Sequence, residues 1–269
     1  MRTVHGVDVV ETTAEAAALE SPPLLILEPV REFLDAHGIG SGPLRWSRIG
    51  DGQSNVTYRI RRGSETVVLR RGPRPPLPKS THDMVREARI QQLLRTEGMP
   101  VPEVLAVCED DSVLGVPFYV MSYIDGVVVT DTVPAHLSSS DQRRATSLAT
   151  VDTLVQLHQV DVTGGELVTF GRPEEYLARQ VSRFAGLWEV NTTRVIPEVE
   201  QLAGWLESNM PDSPAATVVH GDFRIGNLMF APETPARVQA VLDWEMATVG
   251  DPLADLGYLT APTPKPEAR

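Results

Sequence analysis

Three oxygen-bearing side chains, Asp222, Asn227 and Asp243, stand at the ends of apolar runs late in the chain. Val218 and Val219 lead into His220-Gly221-Asp222-Phe223-Arg224-Ile225-Gly226-Asn227, and Leu228-Met229-Phe230 leads out. A further apolar run, Val238 to Leu242, stops at Asp243-Trp244-Glu245. Buried strands are a rigid mount for such groups. An Asp that orients a hydroxyl, with an Asn and an Asp as hard oxygen ligands for magnesium, is a layout suited to phosphoryl transfer. The plainer alternative for Asp222 and Asn227 is a capped turn.

The chain of 269 residues is long enough for one large domain or two lobes, and its 42% apolar content is that of a folded protein. No apolar run is long enough to span a bilayer, and the N-terminus has no signal-peptide core, so a soluble cytoplasmic protein is expected. The single cysteine, Cys108, lies in an apolar run and reads as a buried structural thiol. The six His show no zinc-ligand spacing. A net charge of −12 argues against nucleic acid as the main partner. Locally the sign reverses: Arg59, Arg61, Arg62, Arg70, Arg71, Arg74 and Lys79 face only Glu65 between residues 59 and 79. That run is either a solvated hairpin edge or a field that attracts phosphates.

The elements that must position these groups follow from periodicity. Residues 1–28 mix small and acidic residues and read as a loosely ordered extension with a short helical piece at Ala14 to Leu19. Pro29 to His37 has helical spacing, with Gly38 as its cap. Leu44–Ile49, Val56–Ile60 and Thr66–Arg70 read as an antiparallel meander. Its first connection, Gly50 to Asn55, is either an ordinary turn or a loop that lays backbone N–H groups over a triphosphate. A helix from Thr81 or His82 to Arg95 puts Glu87, Ile90 and Leu94 on one face, and that carboxylate needs a partner, for which Arg70 is the candidate. Strands follow at Val104–Cys108 and Phe118–Tyr123. Helical patterns then take over. Ser139 and Gln142 have capping-box spacing ahead of a helix read as buried along Leu148, Val151, Val155 and His158, with Leu154 alongside. Leu177, Val181, Phe184 and Trp188, then Val199, Leu202 and Leu206, mark two more helices whose apolar residues read as core. His158 reads as a packed or capping residue, and Asp251 and Asp255 as helix-capping or loop-bracing carboxylates.

Taken together, His220 to Phe230, Val241-Leu242-Asp243-Trp244-Glu245 and Gly250-Asp251-Pro252-Leu253-Ala254-Asp255-Leu256-Gly257 resemble the aminoglycoside phosphotransferase and choline kinase family, relatives of the protein kinases. The likeness covers roughly residues 29–259. It implies an α+β, bilobal protein-kinase-like fold: an N-terminal antiparallel sheet with a helix at 29–123, and a mainly helical lobe with short catalytic strands at 124–259. By this resemblance Asp222 is the base that orients the acceptor hydroxyl, Asn227 and Asp243 bind Mg2+ on the phosphates of ATP, His220 braces the loop, and Arg224 holds a phosphate or neutralises Asp222. Gly52, Ser54 and Asn55 cover the nucleotide, Arg70 paired with Glu87 contacts its phosphates, and Ser122 and Ile124 offer backbone groups to adenine.

Arg70 departs from the usual Lys of kinase-like folds. A branch of the family found beside or fused to acyl-CoA dehydrogenases, and implicated in phosphorylating hydroxyacyl-CoA intermediates, is similar in its Leu-Arg-Arg run, here Leu69-Arg70-Arg71. The expected acceptor is thus the hydroxyl of a small molecule, a hydroxyacyl-CoA or an aminoglycoside. The family also continues past the segment matching Asp251 to Tyr258, where this chain has a Pro-rich stretch at 260–269 read as a disordered tail. The resemblance therefore implies a shortened acceptor wall, and its second reading is a catalytically impaired nucleotide-binding protein or scaffold.

Overall fold

Residues 8–50, 55–75 and 83–261 are described by a computed structural model. The chain falls into two units, Met1–Val127 with Met229–Pro232 and Gln239–Glu245, and Val128–Leu228 with Glu233–Val238 and Met246–Arg269. The Gly52 and Ser54 positions, and the 262–269 end of the expected tail, lie outside the described residues.

In the first unit, β1 (Val9–Val10) pairs in parallel with β2 (Leu25–Ile26), and α1 (Thr13–Ala17) connects them. Residues 8–28, expected to be loosely ordered, are therefore built in. The reason is hydrophobic: Leu24, Leu25 and Leu27 join the core formed by α2 (Leu27–Ala36), where Val30 and Leu34 are fully buried. The α2 helix starts before Pro29, which occupies its first turn, and Gly38 follows at φ 66°.

A five-stranded antiparallel sheet has the order β3-β4-β5-β7-β6. Its strands are β3 (Arg45–Ile49), β4 (Val56–Arg62), β5 (Glu65–Arg71), β6 (Val104–Cys108) and β7 (Phe118–Ser122). Period-two alternation sorts the β4 residues. Val56, Tyr58 and Ile60 face the α2 core, while Thr57 and Arg59 face the other way. On that other face α3 (Met84–Thr96), capped by Asp83, packs Met84 and Ala88 against Val68, Tyr119 and Met121. Between β6 and β7, α4 (Asp111–Leu114) forms behind the Asp110 cap.

Part of the local positive charge is neutralised within this unit. Arg62 is buried and ion-paired to Asp35 at 2.6 Å, and Arg74 to Asp8 at 2.6 Å. Arg71 is fully buried without a carboxylate; it donates to the carbonyls of Gly72 (2.8 Å), Leu24 (2.6 Å), Leu114 (3.2 Å) and Pro73 (3.2 Å). Burial lowers its pKa to about 10.

Most of a second sheet, order β11-β10-β8, also belongs here; its strands are β8 (Val127–Val128), β10 (Leu228–Phe230) and β11 (Val238–Val241).

The second unit is mainly helical. It holds α5 (Ser140–His158), α6 (Tyr176–Asn191), α7 (Pro197–Ser208) and α8 (Leu253–Thr260), with β9 (Thr217–Val219) and β12 (Thr248–Gly250) paired antiparallel. Ser139 caps α5 by accepting from the Gln142 amide. The buried stripe of α5 differs from the one expected: Leu148, Val151 and Val155 are about half exposed, whereas Leu154, as expected, and with it Thr146, Thr150, Thr153 and Leu157 face inward. Each buried threonine returns its hydroxyl to the carbonyl four residues back, at 2.8, 2.9 and 2.7 Å, so it enters the core without an orphaned donor. The α6 and α7 helices pack on each other, but Phe184, Leu202 and Trp205 are exposed rather than core. They leave an apolar groove of about 580 Å³ that includes Val181, Phe184, Trp188, Leu202 and Leu206.

Replacing Arg71 by Met would orphan four carbonyls that it now satisfies. Arg71→Met is expected to lose about 3 kcal/mol or more of stability in urea titration, and Arg71→Lys to recover only part, because an ammonium lacks the planar fork.

Candidate active site

The proposed site residues form two clusters, one in each unit. In the second unit β9 delivers the chain into the His220–Asn227 loop. Asp255 on α8 is fully buried and accepts the backbone N–H groups of His220 and Gly221, each at 2.8 Å. Its Oδ2 also lies 3.1 Å from His158 Nε2, so the loop-bracing reading of Asp255 and the packed reading of His158 describe one contact. Gly221 has φ 84°, and a Cβ there would stand 2.9 Å from Met246 Cβ and carbonyl O; only glycine fits this turn.

His220, fully buried, accepts the Asp222 N–H at Nδ1 (3.2 Å), which leaves its ring proton on Nε2. Its ring meets Phe223 edge-on, 5.9 Å between centroids. Asn227 Nδ2 donates both to the Asp222 carbonyl (2.8 Å) and to Asp222 Oδ2 (2.7 Å). The amide's nitrogen end is thereby committed to Asp222, and its oxygen end is the one suited to a cation. Arg224 Nε lies 3.4 Å from Asp222 Oδ2 with its side chain half exposed, close enough to share charge and mobile enough to reach a ligand. The Asp222 carboxylate pushes the Tyr258 phenol's pKa up, with burial adding to the effect.

The first unit holds the other cluster. Asp243 has φ 67°, a left-handed conformation that a non-glycine residue adopts at a cost. The turn is held by neighbours: Trp244, fully buried, donates its indole N–H to the Val241 carbonyl (3.0 Å), and the Val241 N–H reaches the Pro100 carbonyl (2.7 Å). Arg70 bridges two carboxylates. Its Nε lies 2.9 Å from Glu87 Oε1, and its Nη2 hydrogen-bonds to Asp243 Oδ1. Burial works against the Arg70 charge, but Glu87, Tyr119 and Asp243 together hold the guanidinium protonated, above its ordinary range. Burial pushes the Glu87 carboxyl up to about 7, with Arg70 pulling the other way. Asn55, also buried, donates to Glu245 Oε2 at 2.7 Å.

Ser122 stands at the end of β7. Its N–H donates to the Glu103 carbonyl (2.8 Å) and its hydroxyl accepts from the Glu103 N–H (2.9 Å), so both are engaged in holding the end of β7. Ile124 lies beyond that strand and is half-buried.

Two contributors were not singled out from the sequence. Tyr258 stands three residues after Asp255 on α8, the spacing that puts both on one helix face. Gln91 stands four residues after Glu87, a polar pair on the otherwise apolar face of α3.

Among the described residues no group of three or more His, Cys, Asp or Glu could hold a metal alone. The available donors, the Asn227 amide oxygen and the Asp243 carboxylate, are hard oxygens. Each is a donor type that magnesium accepts, the ion taking its remaining ligands from water and phosphates.

A family profile described as the phosphotransferase enzyme family matches residues 45–268. The chain belongs to that family. Acyl-CoA dehydrogenase family member 10 of Mus musculus is 42% identical over 218 residues, 81% of this chain and 20% of that relative. The chain spans between a fifth and a third of the length of the acyl-CoA dehydrogenase family 10 and 11 relatives it matches. A crystal structure from Ralstonia eutropha, named as that of an aminoglycoside phosphotransferase, is 33% identical with a TM-score of 0.74, over 88% of this chain and 71% of that one. A streptomycin–ATP ternary complex of an aminoglycoside phosphotransferase, 18% identical with a TM-score of 0.57 over 85% of this chain and 73% of that one, shares the fold. The expected kinase-like α+β architecture is thus the one that this phosphotransferase-family chain adopts.

Asp255→Ala would leave two consecutive buried N–H groups without an acceptor. It is expected to cost about 3 kcal/mol or more, and Asp255→Asn, which keeps one acceptor oxygen, about half that, read by thermal or chemical denaturation.

Proposed function

We propose that this chain transfers the γ-phosphoryl group of ATP to a hydroxyl of a small molecule. The observation that carries the reading is the committed Asp222–Asn227 pair. One side chain holds the other at 2.7 Å, so a carboxylate able to accept a hydroxyl proton and an amide oxygen able to meet a cation share one rigid loop. Asp222 serves as base and orienter, Asn227 and Asp243 would hold Mg2+, and Arg224 and Arg70 counter the phosphate charge. The ion, when bound, neutralises charge on the phosphates. The protein otherwise acts by positioning: Asp255 fixes the loop that carries Asp222, and His220 holds the Asp222 backbone. Asn55 is assigned to the nucleotide side through its contact with Glu245. Gly52, Ser54 and Ile124 remain nucleotide-side assignments by resemblance.

Asp222→Ala is expected to reduce phosphoryl transfer by at least about 100-fold while Mg-ATP affinity is retained. Asp243→Asn is expected to weaken Mg-ATP binding by about tenfold. Unchanged transfer by the Asp222 variant, followed with radiolabelled ATP, would overturn the assignment.

For the acceptor, the reading favours a hydroxyacyl thioester over an aminoglycoside. Its support is the Leu69-Arg70-Arg71 run and the names of the relatives that share about two-fifths of the sequence. Incubation with Mg-ATP and either a hydroxyacyl-CoA or kanamycin is expected to give phosphorylated thioester only. Phosphorylated kanamycin with no thioester product would reverse the preference.

A further inference from the structure

The first unit contains a buried polar chain deeper than the Arg70–Glu87 pair. Arg70 on β5 and Tyr119 on β7 are direct register partners, so their side chains leave the same face of the sheet on one rung. Glu87 and Gln91 stand four apart on α3, which packs on that face. The Tyr119 hydroxyl donates to Glu87 Oε1 at 3.2 Å and accepts from Gln91 Nε2 at 2.8 Å. Gln91 Nε2 also reaches the Glu87 backbone carbonyl at 3.3 Å. Tyr119, Gln91 and Glu87 are each at most 2% exposed. Every donor in this chain points one way, from Gln91 through Tyr119 to Glu87. Arg70 Nε lies 2.9 Å from that same Glu87 oxygen, and its Nη2 continues to Asp243.

Burying an amide and a phenol beside an ion pair is costly unless each has a task. Apolar side chains at 91 and 119 would fill the same space as part of the Met84, Ala88 and Met121 cluster. The polar choice does one thing that an apolar one cannot: it fixes which Glu87 oxygen faces Arg70. A carboxylate held only by a guanidinium can rotate and slide along it. Pinned at Oε1 by a second donor, it sets the depth and tilt of the Arg70 fork.

We infer that Tyr119 and Gln91 are positioning residues for the nucleotide phosphates, acting through Glu87 on Arg70. The inference rests on the phosphotransferase reading above, because it takes Arg70 as the phosphate-facing cation. Neither residue touches the nucleotide. Their effect is on phosphate binding and not on the base, and this separates positioning from general structural support.

The test compares the full chain with Tyr119→Phe, which keeps the ring and removes the hydroxyl, and with Gln91→Met, which removes the donor to Tyr119. Affinities for Mg-ATP and for adenosine are measured by calorimetry, beside thermal melts with and without each ligand. Tyr119→Phe is expected to weaken Mg-ATP about tenfold, the scale of one hydrogen bond to a charged group, and Gln91→Met about threefold, with adenosine affinity unchanged in both. In an Arg70→Ala background the Tyr119→Phe loss is expected to vanish. Equal loss of Mg-ATP and adenosine affinity would overturn the inference, as would a lower melting temperature with Mg-ATP affinity intact. If the unaltered chain binds neither ligand, the phosphotransferase reading itself fails and the positioning role falls with it. If Tyr119→Phe does not fold, Gln91→Met decides by the same criteria.

Discussion

A carboxylate that accepts two successive backbone N–H groups leaves the chain no freedom in direction, and Asp255 does this for His220 and Gly221. The rest of the loop follows from that constraint. With Gly221 turned at φ 84°, the next amide points at His220 Nδ1, and Asp222 leaves the turn with its carboxylate within reach of Asn227. The negative charge of Asp255 is itself fully buried, so it depends on those N–H groups and on His158. The loop and its brace are therefore mutually dependent: without the loop amides the buried charge is unaffordable, and without the charge the turn is unheld.

The first unit uses the same device with the signs exchanged. Its fixed points are buried cations. Arg71 holds carbonyls from Leu24, Leu114, Gly72 and Pro73 and so ties the N-terminal segment to the sheet. One residue earlier, Arg70 faces the opposite side of the strand and meets Glu87 and Asp243. Adjacent arginines thus serve unrelated ends because a strand alternates its faces. The two sequence readings of the basic run, solvated edge and phosphate field, divide accordingly. Arg62 and Arg74 are engaged by Asp35 and Asp8, and Arg59 Nε donates to Ser47 Oγ at 3.2 Å; Arg70 is the cation seated beside the Asp243 carboxylate.

What could be read from the sequence depended on how local each contact is. The loop was legible because Asp222, Asn227 and His220 interact within a few residues of one another, so spacing alone encodes their geometry. The pairing of Arg70 with Glu87 was legible because a carboxylate on an apolar helix face demands a cation. Tyr119 and Gln91 were not, since their partners lie on other elements and a Tyr in an apolar strand reads simply as core. The α5 stripe was misassigned for a related reason. Apolar spacing pointed to Leu148, Val151 and Val155, but threonines that return their hydroxyls to the helix can occupy the buried side. The strand-end contacts of Ser122 with Glu103 likewise have no sequence signature.

Arginine at position 70 follows from this geometry. A lysine ammonium is a point charge at the end of a flexible stem, and holding two carboxylates would pull it between them. The guanidinium places Nε 2.9 Å from Glu87 Oε1 and donates from Nη2 to Asp243, two nitrogens of one rigid plane. Such a plane conveys orientation as well as charge: turning the Glu87 contact turns the edge that faces Asp243. This gives the buried phenol and amide behind Glu87 a physical purpose that they would lack behind a lysine, whose head has no plane to set. The arginine and the polar chain from Gln91 through Tyr119 are therefore read as one device, in which a contact in the core fixes the attitude of a cation near the surface.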